Sequence, residues 1–170
     1  MDSSRPDAGD APDNELGPVS CHERNTPAAT LARMGTFERF ALIDGRWATV
    51  GYDAPVSAPL VIDIHDSDIA TVQFESATGP QGRFYLGFEP RIYFDDPTEN
   101  VPIDRSAQAV AFASWAQTEL GVEVASAAIE TLLASNDADD EPEADFVEES
   151  VEELIGLLQL PLPDALQPDS

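Results

Sequence analysis

The sequence predicts an α+β domain, an antiparallel meander of about five strands followed by two helices. Three observations carry this expectation. An Asp44-Gly45 pair stands between two apolar, β-prone segments; further short apolar segments, separated by turn clusters, follow as far as Phe94; and the spacing turns helical after Asp95-Asp96-Pro97.

Asp-Gly suits a type I′ hairpin turn, which needs positive φ at both central residues, so strands are expected at 38–43 and 46–52. Pro55 and Pro59 make the next connection irregular. Leu60, Val61, Ile62 and Ile64 read as a third strand, and Ile69, Thr71, Val72, Gln73 and Phe74 as a fourth, joined through His65-Asp66-Ser67-Asp68. Thr78 to Gly82 form a further turn cluster. Beyond it, Arg83 to Phe88 and Arg91 to Phe94 read as one long aromatic strand, interrupted at Glu89-Pro90, where proline favours an edge or a bulge.

Ser106 is the expected cap of a first helix with Ala109, Val110, Ala113, Trp115 and Ala116 at near-helical spacing, ended by Gly121. A second helix is expected over 126–134, with Ala128, Ile129, Leu132 and Leu133 on one side. Residues 1–34 hold Pro, Asp, Ala and Asn but almost no large apolar side chains, so they do not offset the entropy of ordering and are expected to be a disordered leader, with Met34 an alternative start. The domain then spans 35–135. Residues 136–149 read as an acidic linker extended by like-charge repulsion, and 150–170 as a short amphipathic helix and a Pro-rich tail.

A formal charge of −25 arises from 33 acidic residues against 8 basic ones, all arginine. Such a field repels nucleic acid and anionic membranes and attracts basic proteins and cations. Basic charge is scarce in every form, which a shift from Lys to Arg codons does not explain; an acidic host cytoplasm is the alternative to selection on function. Cys21 is the single cysteine, so no internal disulfide and no multi-cysteine zinc site is expected. Apolar runs are short and broken, and residues 1–20 lack the basic and apolar regions of a secretory signal, so the expected location is cytoplasmic.

Chemistry-bearing residues are few. Asp63 and His65 lie two apart on a strand and so share a face, with Asp66 and Asp68 close by; the cluster suits either a cation or acid-base work, against a plain reading as a solvated strand face and turn. The other histidine, His22, falls in the leader. Asp95, Asp96, Glu99 and Asp104 miss the calcium-loop pattern and read as a solvated loop. Nucleophile-elbow, phosphate-loop and dinucleotide fingerprints are absent from the sequence, and without lysine there is no Schiff-base chemistry. The aromatic stripe Phe84, Tyr85, Phe88, Tyr93 and Phe94, flanked by Arg83 and Arg91, reads as core and sheet surface ahead of a ligand groove.

The C-terminal helix is the most suggestive feature. Leu154, Ile155, Leu157 and Leu158 with Glu152 and Glu153 suit a helix-in-groove ligand whose acids steer encounter, and equally a helix that docks on its own domain. The expectation is a non-catalytic acidic protein, of inhibitor, immunity or adaptor type, that caps a basic partner surface. It needs no cofactor or metal, and contacts neither nucleic acid nor membrane. The alternatives are a mimic of nucleic-acid charge and a small carboxylate- or metal-dependent enzyme around Asp63 and His65.

Overall fold

The structure, a computed structural model, describes residues 37–88, 104–134 and 146–167. The leader with Cys21, His22 and Met34, the Arg91 to Phe94 segment, Asp95, Asp96 and Glu99, and the acidic run up to residue 145 lie outside them. The described elements are those expected of an α+β chain: five antiparallel strands, then helices.

Strands β1 (Glu38–Ile43), β2 (Arg46–Thr49), β3 (Leu60–His65), β4 (Ile69–Glu75) and β5 (Gln81–Gly87) form one sheet in the order β2-β1-β3-β4-β5. The Asp44-Gly45 turn takes φ of 50° and 74°, as a type I′ hairpin requires, and sets Ile43 opposite Arg46. β2 is shorter than the expected 46–52. Its last ladder bond runs from the Val50 amide to the Arg39 carbonyl at 2.9 Å, and the chain then turns away through Gly51 and Tyr52. β3 pairs with the free side of β1, so β2 becomes an edge. β5 starts inside the expected turn cluster, because Gly82 faces Phe74: a Cβ there would stand 2.6 Å from the Phe74 ring. Only a residue without a side chain lets that ring lie across the strand pair.

Helix α1 (Arg105–Trp115) begins one residue before the expected Ser106 cap. Asp104 is the cap, its carboxylate accepting from the Ala107 amide at 3.0 Å. A π-helical segment, Ala116–Leu120, continues α1 to Gly121, whose φ of 69° ends it. Helix α2 (Ser126–Leu132) stops short of the expected Ala134, since Leu133 is extended and bridges Leu86, while the Ala134 amide donates to the Tyr85 carbonyl at 2.7 Å. These two residues close part of the β5 edge. Helix α3 (Val147–Leu157) reaches back into the stretch expected as linker. Its stop is not left to Pro161 and Pro163. Gln159 adopts φ 56° and donates to Gly156, and the Leu160 amide reaches Ile155, which together form a Schellman motif.

Alternation along the strands puts Phe40, Leu42, Leu60, Ile62, Ile64, Val72, Phe74, Phe84 and Leu86 on the inner face, under the helices. The centre of this face is aromatic. Phe74 meets Phe84, Phe112 and Trp115 at centroid distances of 6.1, 5.2 and 5.9 Å, and Phe112 stacks on Trp115 at 5.1 Å. Thus α1 is seated on β4 and β5, α2 packs on α1, and α3 lies on the same two strands. Past α3 the chain crosses toward the other end of the sheet, where the Trp47 indole donates to the Pro161 carbonyl at 2.7 Å.

Burial of α3 leads to a direct test. Leu154 is fully buried and Leu157 only half-buried. Leu154→Ala is expected to lower stability by about 2–5 kcal/mol and Leu157→Ala by less than half as much. Urea unfolding midpoints at unchanged slope measure both; equal effects would mean that α3 does not dock by this face.

Candidate functional site

The outer face of the sheet carries the residues alternating with the core: Arg39 and Ala41 on β1, Val61, Asp63 and His65 on β3, Ile69, Thr71 and Gln73 on β4, Arg83 and Tyr85 on β5. Asp63 and His65 therefore do share a face, as their spacing implies. Register brings Arg39 directly opposite Asp63, and its Nε lies 3.5 Å from Asp63 Oδ2. The far end of the guanidinium faces the loop after β2. Nη1 donates to the carbonyls of Tyr52 at 2.8 Å and Ala54 at 3.2 Å, with that of Gly51 at 3.5 Å.

That clamp positions Tyr52. Its hydroxyl stands 2.8 Å from Nδ1 and 2.9 Å from Nε2 of His65, and the two rings are perpendicular at 5.3 Å. Phe37 meets the same imidazole edge-on at 6.4 Å. His65 Nε2 in turn lies 3.8 Å from Asp63 Oδ1, an oxygen that is buried with no hydrogen-bond partner. The result is a carboxylate held beside a rim of three rings.

Electrostatics follow from this burial. Removal from water pushes the Asp63 carboxyl above its ordinary range, against the opposing pull of His65, of a hydrogen bond from Tyr52 and of Arg39. Burial, and then the Asp63 carboxylate, push the Tyr52 phenol upward, so it remains a proton donor at neutral pH. Such a group can hold and orient a hydrogen bond. As a cation site the cluster is compromised by its own guanidinium: Arg39 already occupies one side of the Asp63 carboxylate, and among the described residues no three His, Cys, Asp or Glu side chains gather as a metal site.

The other residues singled out by sequence fall as follows. Asp66 and Ser67 form the β3–β4 turn at φ 55° and 59°; the Ser67 hydroxyl donates to the buried Glu148 carboxylate at 2.6 Å, and its carbonyl accepts from the Val147 amide at 2.9 Å. Glu148 is thus a strut between turn and helix. Leu154, Ile155 and Leu158 are fully buried in the domain's own core, so in this arrangement they are not available to a partner's groove. Leu157 and Glu152 are half-exposed, and Glu149 and Glu153 face solvent. In the aromatic stripe Phe84 belongs to the core and Tyr85 is buried on the outer face, with the Arg83 guanidinium 5.8 Å from its ring centroid. A cleft of about 450 Å³, lined by Val56, Ala58, Val61, Gln73, Glu75 and Arg83 among others, lies beside it. Phe37 and Tyr52 were not among the residues the sequence marked as functional; Tyr52 reaches the site only because a loop is folded back, a tertiary event with no local sequence signal.

Comparison of the chain with protein-family models, with curated proteins and with solved structures finds no match in any of the three.

The raised Asp63 carboxyl sets a pH dependence. The folded state holds this proton more tightly than the unfolded chain, so the stability it contributes is complete below the ordinary value of 3.8 and is lost as pH rises through the higher folded value. A carboxyl-carbon NMR titration is expected to place Asp63 above 3.8, and the stability difference between wild type and Asp63→Asn to change across that same window. A midpoint at or below 3.8 would mean that His65, Tyr52 and Arg39 together outweigh burial.

Proposed function

We propose that this protein is a non-catalytic, acidic protein-binding protein that caps a basic surface of its partner. The observation that supports the reading most directly is where the arginines go. Arg39 is turned onto loop carbonyls and Asp63, Arg83 toward the Tyr85 ring, and Arg105 onto the Glu130 carbonyl at 3.1 Å. These three arginines serve internal contacts, while Arg46 stands exposed among outward acids that include Glu149, Glu153, Asp53 and Asp66. A predominantly acidic surface steers a basic partner and suppresses anionic ones.

The buried face of α3 shapes this proposal. Its leucines serve the fold, so its outward glutamates, not its leucines, are the part offered to a partner. A second reading, acid-base chemistry at Asp63 and His65, draws on the convergence of Tyr52 with that pair. The guanidinium already held against Asp63 weighs against it.

The test is affinity capture from native extract on the full chain at low and high salt, beside a Glu149→Gln/Glu152→Gln/Glu153→Gln variant and a charge-matched acidic control protein. A specific basic protein is expected at low salt, released at high salt, and held roughly tenfold less tightly by the variant. Recovery of the same proteins on wild type and on the control would sink the reading.

A further inference from the structure

Large apolar side chains exposed on this domain include Phe37 at 62% and Tyr52 at 43%, and both border one residue, His65. Ile43, Val110 and Phe146, also exposed, show no ring contact to this group. A lone exposed apolar residue needs no explanation, but two exposed rings set nearly perpendicular to a third beside a partly buried carboxylate form a surface of particular chemistry.

Phe37 and Tyr52 each offer a negative π-face. Asp63 lies beside His65, its Oδ1 3.8 Å from Nε2 and without a hydrogen bond, and Asp53 and Asp66, both exposed, directly follow Tyr52 and His65 in the chain. Arg39 already takes the Oδ2 side of Asp63, so what this spot leaves open is a pair of exposed rings beside exposed carboxylates, which suits a cation with flat, weakly hydrated faces. Arginine meets that description better than lysine, since its guanidinium stacks on aromatic rings while donating in plane to carboxylates. The setting is also built rather than incidental: Tyr52 is held by the Arg39 bond to its carbonyl and by its hydroxyl at His65, and Phe37 immediately precedes β1, the strand paired with the β3 strand that ends at His65. A rigid ring loses little entropy when it is covered, which is why aromatic residues dominate the energetics of interfaces.

We propose that Phe37, Tyr52 and His65, beside Asp63, form the anchor pocket for an arginine side chain projecting from a basic partner protein. This rests on the acidic-binder reading and gives it a location. The glutamates of α3 steer the encounter, and the aromatic rim supplies the short-range specificity.

The purified full chain tests this without a known partner. Ring-proton and amide NMR signals are followed during titration with Nα-acetyl-arginine amide, with Nα-acetyl-lysine amide, and with the uncharged Nα-acetyl-norleucine amide. Saturable shifts are expected at Phe37, Tyr52 and His65 with the arginine probe, weaker ones with lysine, and none with norleucine. Phe37→Ala/Tyr52→Ala is expected to lower the arginine affinity roughly fivefold to thirtyfold, while Phe37→Trp/Tyr52→Phe retains it. Urea unfolding of each variant checks that the fold persists. Equal shifts with norleucine would overturn the proposal in favour of an undirected apolar patch. Shifts spread evenly over the exposed glutamates and unaltered by the alanine variant would overturn it in favour of general charge attraction. In the capture experiment, a basic partner held equally well by the alanine variant would refute the pocket and leave the binder reading standing; capture of no specific partner, with the arginine shifts intact, would do the reverse.

Discussion

The packing of Phe74, Phe84, Phe112 and Trp115 is the contact on which the remaining architecture depends. A five-stranded sheet has an apolar inner face that must be covered, and these four rings fix α1 across β4 and β5 at the centre of it. With α1 in place, α2 has a helix to pack on, and its extended end falls where Leu133 and Ala134 can pair with the β5 edge. Then α3 covers the rest, and the tail past Leu158 reaches Trp47 on β2. Gly82 belongs to this arrangement too, because the Phe74 ring passes through the space its side chain would take. All the described helices are used on one face. The outer face is therefore where unusual side chains can stand.

Self-repulsion at a charge of −25 opposes compactness, and the core has to offset it. Among the described residues, two cations make contacts that tie elements together. Arg105 meets the carbonyl of Glu130, and Arg39 joins two strands and a loop. Glu148 shows the complementary device: a carboxylate inside the fold, given a hydroxyl partner from Ser67 and set in the first turn of α3, where the helix dipole favours negative charge. Burying one acid this way ties the left-handed Asp66-Ser67 turn to a helix that is far away in sequence.

Local chemistry was legible in the sequence and long-range placement was not. The Asp44-Gly45 hairpin, the shared face of Asp63 and His65, and the helix end at Gly121 are each set by neighbours within a few residues, and each is present in the structure. Asp104 was read as part of an acid-rich loop because an aspartate before a helix looks the same as one in a loop until the Ala107 amide is seen to bond it. The start of α3 was hidden by the acidic run around it, since glutamates at 148 and 149 suit both a solvated linker and a helix's first turn. Whether its leucines face home or a partner is a question of tertiary contact, and the same spacing serves both. Tyr52 was invisible for the strongest reason: its position follows from an arginine thirteen residues earlier reaching the carbonyls of its loop.

That arginine also explains why the candidate site takes the form it does. A lysine at position 39 would offer a single ammonium, able to pair with Asp63 or to meet the loop carbonyls, but with no planar fork to do both at once. The guanidinium uses Nε toward Asp63 and Nη1 toward Tyr52 and Ala54, at opposite ends of one rigid group. Neutralising part of the Asp63 charge makes its burial tolerable, and fixing the loop carries the Tyr52 ring to His65. Loop position and carboxylate burial are consequently one constraint and not two. The ring of Tyr52 stands at His65 because the same side chain that stabilises the partly buried acid also fixes the loop that carries that ring.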